Sequence, residues 1–319
     1  MYDEERRYEV VDDIDHGSSS RRANWELACG LQAADGLRVS GYAMEQGDRY
    51  VLGELDSRQL VEEVERHYED SVDPSKAEAD IVSARIARML ETASFALEPQ
   101  TLFVIHRSLF DGVLPDEWVG VSRQVNLSKA EPVLGGRSVT YADWSQIHDK
   151  LEYDFEAERA RVARSPLTTE NVGRLARFVA NVWQTHAFRE GNTRTVATFT
   201  ELYLRSLGCD VDNEPFARNS TYFRDALVRA SFSDLSMGIL EDRSFLTSLL
   251  SNVALGTRVA LDPASLNLHG VREGDLPCRG SNEGLESFRA IEAENRAEDG
   301  RGRGAGAIGT EGHGGNWCR

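Results

Sequence analysis

Apolar residues in the first part of the chain recur mostly at spacings of three and four, which is the pattern of amphipathic helices. The set that runs from Trp25 to Tyr68 predicts a small unit of two or three helices over residues 21–70. Residues 1–20 are polar and end in three serines, so we expect a flexible N-terminus there.

After a mostly polar joint at 71–77, the helical pattern resumes and predicts a larger domain over residues 77–260. One stretch interrupts it. The β-prone segments Val125–Ser128 and Ser138–Tyr141 lie on either side of Gly135-Gly136, which is a turn signal. Together they predict a β-hairpin inside a domain that is otherwise all helical.

Two helices in the second half of the domain are separated by a short polar loop with a glycine. The first is predicted to be capped by Thr168 and to reach His186, and the second covers 193–207. Beyond them, residues 273–319 are rich in glycine and poor in apolar side chains. Such a segment buries too little apolar surface to offset its ordering entropy, so we expect it to be disordered.

Composition and charge exclude several classes of protein. The formal net charge is −17 and no Lys/Arg cluster is present, so a nucleic-acid-binding protein is not expected. The four cysteines are scattered, with no pair at metal-ligand spacing, which suits reduced thiols in the cytoplasm. The polar start and the lack of a long apolar run predict neither a signal peptide nor a membrane span.

The loop between the two helices carries side chains suited to phosphate chemistry. His186 can act as a general base, and Glu190 is a hard carboxylate suited to Mg²⁺. Gly191 allows close approach of the backbone to a phosphate, Asn192 can donate hydrogen bonds, and Arg194 offers a fork of donors at a helix N-terminus. Each residue taken alone is more often structural, so chemistry leaves a phosphate site and a structural loop equally open.

The stretch from His186 to Arg194 resembles the Fic motif, His-x-Phe-x-Asp/Glu-Gly-Asn-Gly-Arg-x-x-Arg. Six of its eight specified positions match: His186, Phe188, Glu190, Gly191, Asn192 and Arg194. The wider resemblance covers about residues 77–255. It includes Ile105–Phe110, the segment Arg123–Lys129, which is similar to the family's flap, and Asn213–Phe216.

The resemblance implies a protein adenylyltransferase, in which His186 deprotonates a hydroxyl of a target protein and AMP is transferred from ATP. Glu190 would hold Mg²⁺ between the phosphates. The nucleotide-binding residues implied are Phe188, Arg189, Glu190, Gly191, Asn192, Thr193 and Arg194. The target would pair with the flap by strand addition, and the residues implied to dock it are Arg123, Asn126, Ser128 and Lys129. Self-modification stays open as an alternative.

Two positions depart from the motif. Thr193 stands where the motif has its last glycine, and Ala197 stands where it has its second arginine. The first change adds a side chain beside the phosphate loop, and the second removes one cation. Two other outcomes therefore stay open: transfer of a different phosphate-containing group, and a Fic fold that binds nucleotide or protein without turnover.

Residues 21–70 resemble, more weakly, the helical antitoxin that inhibits some Fic proteins through a Ser/Thr-x-x-x-Glu-Gly motif. The best counterpart is Leu31–Gly36, in which Asp35 replaces the inhibitory glutamate. In the family that glutamate pairs with the motif's second arginine, which is Ala197 here. We therefore expect Asp35 to have lost its partner and to give weak inhibition or none. A plain helical cap is the alternative.

Overall fold

The computed structural model describes residues 16–69, 74–162, 166–209 and 218–268, and these ranges are mostly helical, which confirms the mainly α fold class. The helices are α1 (His16–Ala34), α2 (Gly41–Val51), α3 (Ser57–Tyr68), α4 (Pro74–Thr92), α5 (Pro99–Phe110), α6 (Ile147–Val162), α7 (Val172–Thr185), α8 (Asn192–Ser206), α9 (Ser220–Ser231), α10 (Ser244–Leu255) and the short α11 (Pro263–Leu266). Two predicted features lie outside the described residues: the disordered tail 273–319 and the segment 213–216, which is part of the family resemblance.

Helices α1 and α3 pack mainly against α4, and α2 packs mainly against α1 and α3. Local capping defines two of their starts. The Ser40 hydroxyl accepts from the Ala43 amide at the start of α2, and Asp56 with Gln59 forms a capping box at the start of α3. Asp80 on α4 then accepts hydrogen bonds from Ser40, and from the Tyr68 hydroxyl at 2.5 Å. The predicted 21–70 unit is thus tied to the first helix of the predicted domain.

Two predicted starts differ from the structure. Helix α1 begins at His16, so residues 16–20 are helical and not part of a flexible terminus, while residues 1–15 lie outside the described ranges. Helix α7 begins at Val172, and its N-cap is Asn171, not Thr168. The Asn171 side chain instead accepts from the Thr168 amide, which holds the preceding turn.

The predicted β-hairpin exists, but its strands are shorter and shifted. Strand β1 (Ala130–Glu131) pairs antiparallel with β2 (Arg137–Ser138), with a 3₁₀ turn at Pro132–Leu134 and Gly135 in the left-handed region between them. The predicted strand Val125–Ser128 does not form: Val125 lies in a bend, and the residues after it have no regular secondary structure. We call residues 123–142 the flap.

The core is one hydrophobic cluster that extends from Trp25 in α1 to Leu266 in α11. Its centre is an aromatic group in which Phe155 of α6, Phe178 of α7 and Phe199 of α8 contact one another edge to face or at a tilt. Because α7 and α8 are both fixed by this packing, the loop between them is held at both ends.

Candidate active site

His186 lies directly after α7 as its C-cap, with φ 50° and ψ 58°. It is the one non-glycine residue with positive φ among the described ranges. The left-handed conformation costs a non-glycine residue about 1–3 kcal/mol, so the surrounding contacts must hold it. The imidazole stacks on the Tyr141 ring with centroids 3.8 Å apart, and it meets Trp183 edge-on at 5.5 Å.

The electrostatic environment keeps the His186 ring neutral. Burial lowers its pKa well below 6.5, and the positive charges of Lys129 and Arg123 lower it further. Its Nδ1 atom is buried and makes no hydrogen bond to a described residue. A neutral imidazole has one unprotonated ring nitrogen, and that nitrogen can act as a proton acceptor.

His106 on α5 contacts the loop that follows His186 and supports it. The Gly120 amide donates to Nδ1 of His106, so Nε2 carries the proton and donates to the Glu190 carbonyl at 3.1 Å. Burial lowers the pKa of His106 to about 4, which keeps it neutral. The Phe188 ring stacks on His106 at 3.9 Å. His106 is therefore structural, and Phe188, which the resemblance implies as a nucleotide-binding residue, lies in the core.

Gly191 and Asn192 give the loop its tight turn. Gly191 has φ 72°, and a Cβ atom there would lie 2.4 Å from the Phe110 ring, so only glycine fits. The Asn192 side chain accepts from the Phe188 amide at 2.9 Å and donates to the Phe188 carbonyl at 2.7 Å. Asn192 thus closes the loop on itself, and this pairing uses much of the donor capacity that was expected to serve a phosphate.

The first turn of α8 presents backbone N–H groups that have no partner within the helix, at the positive end of its dipole. Glu190 lies beside them, with Oε1 accepting from the Gly191 amide at 3.0 Å and Oε2 making no hydrogen bond to a described residue. Burial raises the pKa of Glu190, while Lys129 and Arg194 oppose that rise. The arrangement combines backbone N–H groups that favour an anion with one carboxylate.

This donor set fits a magnesium ion that is shared with phosphates. Mg²⁺ typically takes one or two protein carboxylates and completes its shell with phosphate oxygens and water. Within the described residues no group of three His, Cys, Asp or Glu side chains could form a protein cage for a metal. Glu190 is therefore the one ligand this loop offers, and it suits a metal that arrives with a nucleotide.

Arg194 points away from solvent and is surrounded by acceptors from α1 and α4. Its Nη1 donates to Gln32 Oε1 at 3.1 Å, and its Nη2 donates to Glu78 Oε1 at 2.8 Å. Its Nε lies 2.9 Å from Asp35 Oδ2 as an ion pair without hydrogen-bond geometry. The guanidinium is 1% exposed and lies over the Phe110 ring. In this conformation Arg194 holds the N-terminal helices and is not free to bind phosphate.

The expectation that Asp35 lacks a partner is wrong. Asp35 pairs with Arg194, the motif's first arginine, and Ala197 is fully buried in the core. Thr193 is also engaged, since its hydroxyl accepts from the Trp183 indole at 3.2 Å. Arg189 lies over the Trp118 ring, 5.4 Å from its centroid. The side chains of these loop residues mainly hold the fold, which leaves the backbone amides at the start of α8 as the donors available to an anion.

Two of the four flap residues predicted to dock a target are structural. Arg123 is 1% exposed and donates to backbone carbonyls. Asn126 donates to Asp143 and accepts from the Trp144 amide, which fixes the base of the flap. Ser128 is exposed and Lys129 half-buried, and Lys129 lies near enough to His186 and Glu190 to lower the pKa of both. Ser128 and Lys129 thus remain as the side chains at the mouth of the site.

Sequence reasoning missed four residues around the site: Gln32, Glu78, Tyr141 and Arg224. Glu78 and Gln32 hold Arg194, and Tyr141 stacks on His186. Arg224 on α9 forms an ion pair at 2.5 Å with Glu131 of β1, which anchors the hairpin. Only Tyr141 carried a local signal, because it lies in a segment recognised as β-prone next to the loop.

Residues 96–204, which include α5, the flap and the whole His186 loop, match the model of the Fic/DOC family. This segment is similar to Fic/DOC domains. Among the described residues, no helix of the protein is long and apolar enough to cross a bilayer.

One curated relative is the probable protein adenylyltransferase y4lH of Sinorhizobium fredii (strain NBRC 101917 / NGR234), 26% identical over 132 residues. The match covers 41% of the chain and 64% of the relative, slightly less than two thirds of its length. Two solved structures are also similar. The N-terminal FIC domain of Bep8 from Bartonella sp. 1-1C has a TM-score of 0.43 at 16% identity, over 66% of this chain and 88% of that one. The N-terminal Fic domain of a Bep effector from Bartonella sp. AR 15-3 has a TM-score of 0.40 at 18% identity, over 60% and 82%.

Proposed function

We propose that the protein is a cytoplasmic adenylyltransferase that moves AMP from Mg-ATP to a Ser, Thr or Tyr hydroxyl of a target protein. The observation that carries this proposal is the neutral His186 ring, which follows α7 directly and lies beside a glycine turn and a helix N-terminus. A base adjacent to an anion cradle is what transfer of a phosphate group to a hydroxyl requires. The relative named as a probable protein adenylyltransferase supports the same reaction.

In the proposed reaction, His186 accepts the proton of the target hydroxyl as its oxygen attacks the α-phosphorus of ATP. A bond forms between that oxygen and the α-phosphorus, the bond from the α-phosphorus to the bridging oxygen breaks, and pyrophosphate leaves. The amides at the start of α8 stabilise the charge on the phosphate oxygens, and Lys129 adds a cation from the flap. Mg²⁺ bound with Glu190 would supply further charge neutralisation. Most of the rate enhancement would come from positioning.

The target would approach along the segment Val125–Lys129. Its backbone lacks a strand partner among the described residues and so is available for strand addition. Ser128 and Lys129 lie at the end of this segment nearest the site. Because this contact is mainly to backbone, it would position a hydroxyl for His186 without specifying one sequence.

The test is transfer of label to protein, with ATP labelled at either the α- or the γ-phosphate and with a cell lysate as the source of targets. Wild type, His186→Ala and a matched control, His148→Ala, are compared. We expect α-label on protein with wild type and the control, and none with His186→Ala. Transfer of γ-label would instead mean phosphoryl transfer. Nucleotide binding with no transfer of either label would mean a binding module, the outcome that the engagement of Arg194 by Gln32, Asp35 and Glu78 would favour.

A further inference from the structure

The Arg123 side chain donates only to main-chain carbonyl oxygens. Its Nε donates to the His186 carbonyl at 2.7 Å, and its Nη2 donates to the Thr185 carbonyl at 3.3 Å. The same guanidinium donates to the Val125 carbonyl through Nη1 and to the Ala142 carbonyl through Nη2, both at 2.5 Å. The Arg123 amide also donates to the Ala187 carbonyl at 2.9 Å.

Two of these acceptors belong to the C-terminal end of α7. The last carbonyls of a helix lack partners within it and carry the negative end of the helix dipole, so a buried cation there stabilises the helix end. The contact with the His186 carbonyl also fixes the peptide that follows the histidine. Since His186 has φ 50°, its side-chain direction depends on this backbone being held.

The other two acceptors lie at the two ends of the flap. Val125 lies near the first residue of the flap. Ala142 is its last residue and follows Tyr141, whose ring stacks on His186. The end of the flap also contacts α7 directly, because the Ala142 amide donates to the Gln184 carbonyl at 3.3 Å. One guanidinium therefore joins both ends of the flap to the residue that carries the imidazole.

We propose that Arg123 is a positioning residue that sets the orientation of His186 and fixes the flap to it, so that a target bound on the flap meets the base in register. This inference rests on the proposed function for its kinetic consequence. It assigns Arg123 no contact with nucleotide or target. Substitution should therefore lower kcat while nucleotide affinity stays the same.

The kinetic test compares Arg123→Lys and Arg123→Ala with wild type. Lysine keeps the charge but cannot bridge four carbonyls. We expect kcat to fall by about tenfold to a hundredfold, with KM for ATP within about twofold, because the defect is misplacement of the base. Millimolar guanidinium should restore part of kcat in Arg123→Ala. Should Arg123→Ala fail to fold, Arg123→Lys alone decides.

The matched control is Arg205→Ala at the far end of α8. Arg205 also joins three elements, through Glu201, the Leu90 carbonyl and Asn24. The Arg205→Ala substitution should lower the unfolding midpoint and leave kcat unchanged. A kcat of Arg123→Lys equal to wild type, or a loss confined to KM for ATP, would overturn the inference.

A second readout does not depend on activity. Selective ¹³C labelling of the seven histidines gives ring signals, and His186→Ala assigns the one of interest. We expect the His186 signal to shift in Arg123→Lys and to stay in place in Arg205→Ala. An unchanged His186 signal would overturn the inference even if the wild type transfers AMP. A shifted signal in a protein that transfers nothing would support Arg123 as the positioning residue while the proposed function fails.

Discussion

Two buried arginines flank the motif loop, and they differ in what surrounds them. Arg123 on the flap side and Arg194 on the N-terminal side are each 1% exposed. Arg123 donates to neutral carbonyls, and burial lowers its pKa to about 10. Burial acts on Arg194 in the same direction, but Glu78 and Asp35 outweigh it and raise the pKa. A nucleotide does not compete for the carbonyl contacts of Arg123 on the flap side. On the N-terminal side, a phosphate could replace the carboxylates that contact Arg194.

The largest effect should come from removing the cation on the N-terminal side. Arg194→Met leaves Asp35, Glu78 and Glu190 close together without their shared partner, and breaking a buried ion pair in this way costs about 3–5 kcal/mol. We expect the free energy of unfolding in urea to fall by that amount. Adding Asp35→Asn and Glu78→Gln to Arg194→Met should recover more than half of it. A loss below about 1 kcal/mol would mean that these carboxylates are not held by Arg194.

On the flap side, the stacking of Tyr141 on His186 can be removed without touching charge. Tyr141→Leu should lower kcat by about tenfold, since an aromatic pair contributes about 0.5–1.5 kcal/mol beyond its buried area. Tyr141→Phe keeps the ring and loses only a buried hydroxyl, which lies near Glu131 without a hydrogen bond of standard geometry. Its kcat should stay within about twofold of wild type. Equal losses in both variants would mean that the hydroxyl, and not the stack, is what matters.

Asp35 tests whether the N-terminal contact restrains the site. Asp35→Asn keeps the shape and removes the charge, so phosphate competes more easily for Arg194. We expect kcat/KM for ATP to rise about fivefold, a coupling of roughly 1 kcal/mol, with Glu78 and Gln32 still in place. Glu54→Gln, on an exposed acid of the same unit, is the control and should have no effect. A fall in kcat/KM would show that Asp35 supports the active conformation.

The smallest expected effect concerns Lys129 and pH. Activity needs His186 neutral and Glu190 ionised, so kcat/KM should fall on acidification. Burial is the main cause of both pKa shifts, and the Lys129 charge lowers both pKa values. Lys129→Ala should therefore raise both, moving the acid limb of a profile between about pH 5 and 8 upward by about half a unit. A limb that moves downward would show that Lys129 does not act through these groups.

The local chemistry of the loop was predictable because it is encoded in consecutive residues. The end of a helix, a glycine turn and a new helix start place His186, Gly191 and the α8 amides together whatever surrounds them. The class of fold was predictable for a similar reason, since the spacing of apolar residues already specifies helices. Helix starts were less certain, as with the N-cap at Asn171, because Asn171 and Thr168 are both good capping residues.

The state of each arginine was not predictable, because it depends on residues far away in the chain. Arg194 is held by Gln32 and Glu78, which are 162 and 116 positions distant. Arg123 lies just before the β-prone segment Val125–Ser128, where the resemblance implies a target-docking residue, but tertiary packing buries it against α7. Periodicity specifies which face of a helix is buried, but not which residues of other elements contact that face. It therefore predicts the partners of neither arginine.

We propose that the loop is a nucleotide site in which phosphate competes with the N-terminal helices for Arg194. Calorimetric titration of Mg-ATP into wild type, Asp35→Asn, Arg194→Met and the double variant tests it as a double-mutant cycle. We predict that Asp35→Asn tightens binding in the wild-type background and has no effect in the Arg194→Met background, which itself binds more weakly. Equal effects of Asp35→Asn in both backgrounds, or no binding of Mg-ATP to any of the four proteins, would contradict it.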